Sequence, residues 1–248
     1  MVKCLKYRYP ECKKIYIPNN TYIACLNVLL HEFPIEQIES IDLNIDTLNI
    51  NDVSNLESNA ALFVIHNIGG ITNIPDIKRK RPDLLIFEDN AEGYLGSYEG
   101  KPTGSEGIAS TLSFNMNKNF TSGQGGAFCT NDDELFNYIS SYTRHGFTGK
   151  KFHYKMVGNN YRMSNVSAAI LLSQIEQEEE ILEKKKKSYQ LYKELLFDEK
   201  RIKIQNTSVN TISSYWNLAI RIVGNSSYKD IEEKLLKHNI ETRPVFLP

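Results

Sequence analysis

Short apolar runs separated by amphipathic stretches constrain this chain more than any other feature. KIYI (14–17), ALFVIH (61–66) and LLIF (84–87) are apolar almost end to end, and ESIDL (39–43) and IASTLSF (108–114) read with them as strands. A strand with one wet face alternates apolar and polar residues, so unbroken runs of this length belong to a sheet covered on both sides. Between them, YIACLNVLLHE (22–32) and residues 133–143 and 163–196 carry helical spacing. Strands interleaved with helices predict an α/β fold built on a mostly parallel sheet flanked by helices. Pro18 closes the first strand, Gly69-Gly70 marks a turn, and SYEGKPTG (97–104) reads as a hairpin.

The pattern changes near residue 197. RIKIQN (201–206) and YWNLAIRIV (215–223) alternate like half-exposed strands, and YKDIEEKLLKH (228–238) follows as a helix. The expected organisation is a large domain over residues 1–180 and a partial small α+β domain over 181–248. The charge run EQEEEILEKKKK (176–187) places its acids before its bases on one helix, which allows Glu-to-Lys pairing at i,i+4 on a solvated face.

Composition narrows the partners. A chain of 248 residues with 41% hydrophobic content can bury a substantial core, and a net charge of −1 offers nothing to nucleic acid or to an anionic membrane. Cys4, Cys12, Cys25 and Cys129 show neither metal-ligand spacing nor the density of a disulfide framework. No apolar run is long enough to span a bilayer, and MVKCLKYRYP lacks the apolar centre of a signal peptide. These features predict a cytoplasmic protein.

One stretch carries chemistry. SFNMNKNFTSGQGGAF (113–128) sets Lys118 between turn-prone segments, with a glycine cluster close behind. Ligands of open α/β sheets gather at the carboxyl ends of the strands. Asp89 follows LLIF, Ser113 lies late in the next run, and Lys118 stands five residues further on. A desolvated lysine can act as an amine nucleophile, a carboxylate can hold a pyridinium proton, and a hydroxyl with glycine amides can hold a phosphate. Those are the requirements of pyridoxal 5′-phosphate. An ordinary solvated loop accounts for the spacing as well.

The longer pattern is more specific. FEDNAEGYLGSYEGKPTGSEGIASTLSFNMNKNFTSGQGGAFCTND (87–132) resembles the core signature of the DegT/DnrJ/EryC1/StrS family of nucleotide-sugar aminotransferases: an acidic pair, D-x-A-[EQ], S-F-x-x-x-K and G-x-G-G. The resemblance continues through RHG (144–146), VGNNYRMSNVSAAILLSQIE (157–176) and IETRPVFLP (240–248), and back to IYIPNNTYIACLNVLL (15–30) and IDLNIDTLNI (41–50). It implies an aspartate-aminotransferase-like fold (fold type I) and pyridoxal phosphate as cofactor. Lys118 is then the Schiff-base lysine and proton shuttle, Asp89 the partner of the pyridine nitrogen, and Glu92 a neighbour of the 3′-oxygen. Ser113 is implied for the phosphate, Tyr22 for stacking on the ring, and Asn160 for the phosphate in the other subunit of a homodimer. His145 and Arg243 are candidates for substrate contacts, although a buried, satisfied histidine suits position 145 equally.

Relative to that pattern the sequence opens where the strand KIYIP begins, after the family's Ser-Gly-Thr turn, and stops at RPVFLP. Fewer phosphate donors and weak, dimer-dependent cofactor binding are therefore expected. Two functions are implied. The first is transamination of a 4-keto-6-deoxy nucleotide sugar with glutamate as donor, at C4 if the perosamine-synthase-like stretches decide. The second is a non-catalytic partner subunit that retains the fold. The family's sister dehydratases carry His at the position of Lys118.

Overall fold

A computed structural model describes residues 1–246; the last two residues of the stretch 240–248 lie outside the described residues. In chain order the elements are α1 (Val2–Arg8), β1 (Ile15–Pro18), α2 (Ile23–Leu30), β2 (Ile38–Ile41), β3 (Ala61–Ile65), α3 (Ile74–Lys80) and β4 (Leu85–Asp89). A small hairpin, β5 (Ser97–Tyr98) and β6 (Lys101–Pro102), precedes β7 (Ala109–Ser113), β8 (Gly126–Cys129) and α4 (Asp133–Tyr142). The chain continues through α5 (Asn165–Ile175), α6 (Glu178–Leu195), β9 (Ile202–Ile204), β10 (Thr211–Ile212), β11 (Ile220–Ile222) and α7 (Tyr228–Leu236).

The central sheet runs in the order β2-β1-β3-β4-β7-β8. Its pairs from β2 to β7 are parallel, and β8 closes the edge antiparallel to β7. Because strand side chains alternate faces, the apolar runs divide into two cores. Ile15, Ile17, Ala61, Phe63, Ile65 and Phe87 join Leu5, Leu29 and Leu135 from α1, α2 and α4 on one face. Tyr16, Leu62, Val64 and Ile86 join Ile74 and Ile77 of α3 on the other. The α/β class and the doubly covered, mostly parallel sheet are as the sequence predicts.

Several elements differ from the sequence reading. The acidic pair Glu88-Asp89 belongs to β4 itself, because the ladder to β3 and β7 runs on through both residues. The helix expected over 163–196 is two helices, broken at Gln177, whose φ −110° and ψ 20° leave helical geometry. Of YWNLAIRIV only Ile220–Ile222 is strand; Tyr215 takes a left-handed φ of 54°, and Trp216 Nε1–H is committed to Asn117 O at 2.7 Å. Helices α1 and α3 and strand β8 are additions to that reading. The former is anchored by Tyr7 stacking on Tyr138 of α4, ring centroids 4.0 Å apart. Strand β10 pairs with β5, so residues 205–216 return to the large sheet's side of the molecule.

Candidate active site

Strand order reverses at β1, which has β2 on one side and β3 on the other. The crevice outside the carboxyl ends at such a switch point is where open sheets bind ligands. Around it stand Asn20 and Tyr22 after β1, Asn67 after β3, Asp89 at the end of β4 and Ser113 at the end of β7. Among the described residues, the side-chain oxygens of Asn20 and Asn67 are buried there without a hydrogen-bond partner. Among the described residues no helix is long and apolar enough to cross a membrane.

Lys118 reaches into this crevice. Its Nζ lies 3.3 Å from Glu92 Oε1, and the two side chains are only 14% and 7% exposed. Glu92 Oε2 accepts the Ile68 N–H at 2.9 Å. Burial raises the Glu92 carboxyl above its usual range, against the opposing pull of the Lys118 charge and the Ile68 N–H. From the third side Lys118 Nζ sits 4.2 Å from the centroid of the Trp216 ring. The segment carrying Trp216 is held to the lysine loop: Asn119 Nδ2 donates to Ser214 O at 2.9 Å, and Ser214 Oγ donates to Glu92 O at 2.5 Å. Gly69 permits the approach, since a Cβ there would lie 2.7 Å from Ser214 Oγ.

Asp89 is oriented from two directions. Ala91 N–H donates to Oδ1 at 3.0 Å, and the Cys25 thiol donates to Oδ2 at 3.2 Å. Burial, then the Asp89 charge, pushes the Cys25 thiol far above its ordinary range. Asp89 also raises Glu92, so Lys118, Glu92, Asp89 and Cys25 form one electrostatic cluster.

Glu88 points to the opposite face of β4 and is fully buried. It accepts from His66 Nε2–H at 2.8 Å, from the Tyr98 hydroxyl at 3.2 Å and from Gly104 N–H at 2.5 Å. Because His66 Nδ1 takes the Thr72 N–H at 3.1 Å, the imidazole proton is on Nε2. Tyr98 in turn accepts N–H groups from Ser105 and Glu106. This network fixes the strand end that presents Asp89.

The remaining sequence candidates fall in different places. Tyr22 caps α2, is 57% exposed and lies 5.8 Å from the ring of Phe246. Ser113 Oγ is at 3.5 Å from Asn115 N. The glycines after Lys118 build the β7–β8 reversal rather than an open cradle: Gly123 N–H goes to Thr121 Oγ1 and Gly125 O takes Phe114 N–H. His145 is exposed at a left-handed φ of 61°, which removes the reading of a buried, satisfied histidine. Asn160 is exposed and bridges Arg144. Arg243 is exposed beside Glu241 at 3.8 Å. Among the described residues no hydrogen bond joins these last three to the Lys118–Asp89 cluster.

Trp216 and Cys25 escape the sequence reading. Cys25 stands in the first turn of α2, three residues after the capping residue Tyr22; that nearness was its signal. Trp216, the single tryptophan, is hidden inside a strand-like alternation.

The sequence pattern of the DegT/DnrJ/EryC1/StrS aminotransferase family matches residues 10–248. The chain belongs to this family. It is 28% identical to a GDP-perosamine synthase of Escherichia coli over 96% of its length and 66% of that protein's. It is 31% identical to a GDP-perosamine synthase of Caulobacter vibrioides over 95% of its length, again 66% of the relative's. The chain thus spans just under two thirds of these relatives. A solved E. coli GDP-4-keto-6-deoxy-D-mannose-3-dehydratase with bound hydrated pyridoxal phosphate superposes with a TM-score of 0.87 at 21% identity, over 99% of this chain and 70% of that one. That likeness fixes the fold as the one shared by pyridoxal-phosphate aminotransferases and their relatives.

Proposed function

We propose that this chain is a nucleotide-sugar aminotransferase that uses pyridoxal 5′-phosphate, takes its amino group from glutamate and delivers it to C4 of a 4-keto-6-deoxy sugar nucleotide. The observation that carries the reading is Lys118 Nζ held 3.3 Å from buried Glu92 at the sheet's carboxyl edge. The polar set fits the cofactor: an amine, a carboxylate at the neighbouring strand end, and buried oxygens on Asn20 and Asn67, unpartnered among the described residues and able to accept from hydroxyl groups. When bound, pyridoxal phosphate supplies an aldehyde for amines and a protonated ring that withdraws electron density from the attached carbon.

The chain's own residues divide the remaining work. Lys118 is the amine that would hold the cofactor's carbonyl carbon and, once displaced, would move a proton between that carbon and the substrate carbon bearing the amino group, in one direction for the donor and in the other for the acceptor. Asp89, held by Ala91 and Cys25, keeps the ring nitrogen protonated. Glu92 stands beside the lysine, where it would meet the ring's 3′-oxygen; Tyr22 would cover the ring, and Ser113 would donate to the phosphate. Asn160, exposed in the single chain, contributes from a second copy, and His145 and Arg243 meet the substrate. The proposal includes a homodimer with shared sites, a cytoplasmic location, and a division into large (1–180) and small (181–248) domains.

Incubation with pyridoxal phosphate, followed by borohydride reduction and peptide mapping, tests the cofactor. A panel of keto-sugar nucleotides with glutamate tests the reaction. Attachment to Lys118 with turnover of a 4-keto-6-deoxy substrate supports the reading. Attachment without turnover of any substrate favours a non-catalytic partner subunit.

A further inference from the structure

The Lys118 ammonium has two partners of different kinds. One is Glu92 Oε1 at 3.3 Å; the other is the face of Trp216, whose centroid lies 4.2 Å from Nζ. The ring is not there by chance of rotamer. Its Nε1–H is spent on Asn117 O at 2.7 Å, the carbonyl of the residue preceding the lysine. The residue on the lysine's other side, Asn119, grips Ser214 O at 2.9 Å and Tyr94 O at 3.0 Å. Ser213 Oγ and Ser214 N–H both donate to Gly69 O. Indole and lysine are thus built as one unit from two segments nearly one hundred residues apart in sequence.

We propose that Trp216 is a positioning residue that holds Lys118 as an ammonium, aimed along the crevice, whenever the amine is not covalently engaged. A ring face attracts a cation and not a neutral amine or imine, so this hold acts on the free lysine and lapses when the nitrogen is neutral. Glu92, itself influenced by Asp89, is the acid ion-paired to Nζ among the described residues; Trp216 adds the attraction of its ring face, 4.2 Å from Nζ at the centroid. The inference rests on Lys118 being the reactive amine.

The test follows Lys118 directly, without activity. Cofactor-free wild type, Trp216→Leu and Trp216→Phe are labelled with acetic anhydride across a pH series, and the Lys118 peptide is quantified by mass spectrometry. The rate–pH midpoint in Trp216→Leu is expected to fall by about half a pH unit, a ~3-fold gain in labelling on the rising limb, with Trp216→Phe between the two. A merely structural role changes the plateau through accessibility and leaves the midpoint in place; an unmoved midpoint in folded Trp216→Leu overturns the proposal. Should that variant fail to fold, the wild-type emission of the single tryptophan decides: it must change across the labelling midpoint, and a flat response overturns the proposal. Failure of pyridoxal phosphate to attach to wild-type Lys118 refutes the functional reading instead, and the midpoints remain a separate result.

Discussion

The thiol of Cys25 lies 3.2 Å from Oδ2 of Asp89, while Ala91 N–H occupies Oδ1 at 3.0 Å. One carboxylate oxygen is thereby fixed by the backbone and the other by helix α2, which leaves the group little freedom to rotate. If Asp89 holds a protonated ring nitrogen, loss of the thiol donor weakens cofactor binding by loosening that carboxylate. Cys25→Val is expected to bind pyridoxal phosphate roughly 2- to 10-fold more weakly, the equivalent of one hydrogen bond of about 0.5–1.5 kcal/mol, and Cys25→Ser to keep most of the affinity. Absorbance titration of the three proteins measures this; equal affinities would remove Cys25 from the site.

Burial orders the cysteines for reaction. The Cys4 thiol is pushed up to about 11 by desolvation, and Cys25 further by desolvation together with Asp89. Cys129 is exposed. A thiol reagent at neutral pH should therefore modify Cys129 first and leave Cys4 and Cys25 unreacted in the native protein, since the thiolate is the reacting form. Mass mapping after brief labelling checks the order, and early loss of Cys25 would contradict it.

Lys118→Ala should leave the fold intact and abolish both the visible absorption of bound cofactor and transamination, because it removes the amine in the crevice. Borohydride trapping of the cofactor on another lysine would transfer the assignment elsewhere. Asp89→Asn should bind some cofactor but slow proton transfer severely, as an amide does not stabilise a protonated ring.

How much of this was legible beforehand depends on the range of the interaction. Apolar runs such as 61–66 and 84–87 announce buried strands because burial on both faces removes alternation, and β3 and β4 lie where those runs stand. The Lys118 motif is local, so its spacing could be read. Trp216 could not, because its role depends on residues 117 and 119 meeting residues 213–216 through tertiary hydrogen bonds. Strand β8 pairs only at the sheet edge and is short, and α3 follows its Asn73 cap with a proline and a run of charge, so neither carries the long periodicity that marks an element. His145 shows the reverse limit: the sequence placed it near the family motif but could not say which way a left-handed residue would face.

Glu92 gives the stability of the cofactor-free protein a pH dependence. Desolvation raises its carboxyl above the ordinary 4.5 despite Lys118. A carboxyl raised on folding binds its proton more tightly in the folded state, so its contribution to stability is complete below the ordinary value and is lost as pH climbs through the raised one. Glu92→Gln stays neutral throughout. The melting temperature of Glu92→Gln relative to wild type should therefore increase between about pH 4 and pH 8, and a difference that shrinks over that range would show that the Lys118 pairing outweighs burial.

Glu88 is the group whose loss should cost the fold most. Its carboxylate is fully buried and accepts from His66, Tyr98 and Gly104, three donors supplied by the β3 end, strand β5 and the loop after β6. Glu88→Ala leaves all three without an acceptor in a site that the bulk of Tyr98 closes to water, so the penalty is that of a broken buried network, about 3 kcal/mol or more. Tyr98→Phe takes away one donor to Glu88 and the acceptor for the Ser105 and Glu106 N–H groups, and should cost about 1–3 kcal/mol. Because both changes act on one network, the double variant should lose less than the two single losses combined. Chemical denaturation of the two singles and the double measures all three quantities. Additive losses would mean that Glu88 and Tyr98 stabilise the β4 end independently, and that Asp89 is presented by the sheet ladder alone.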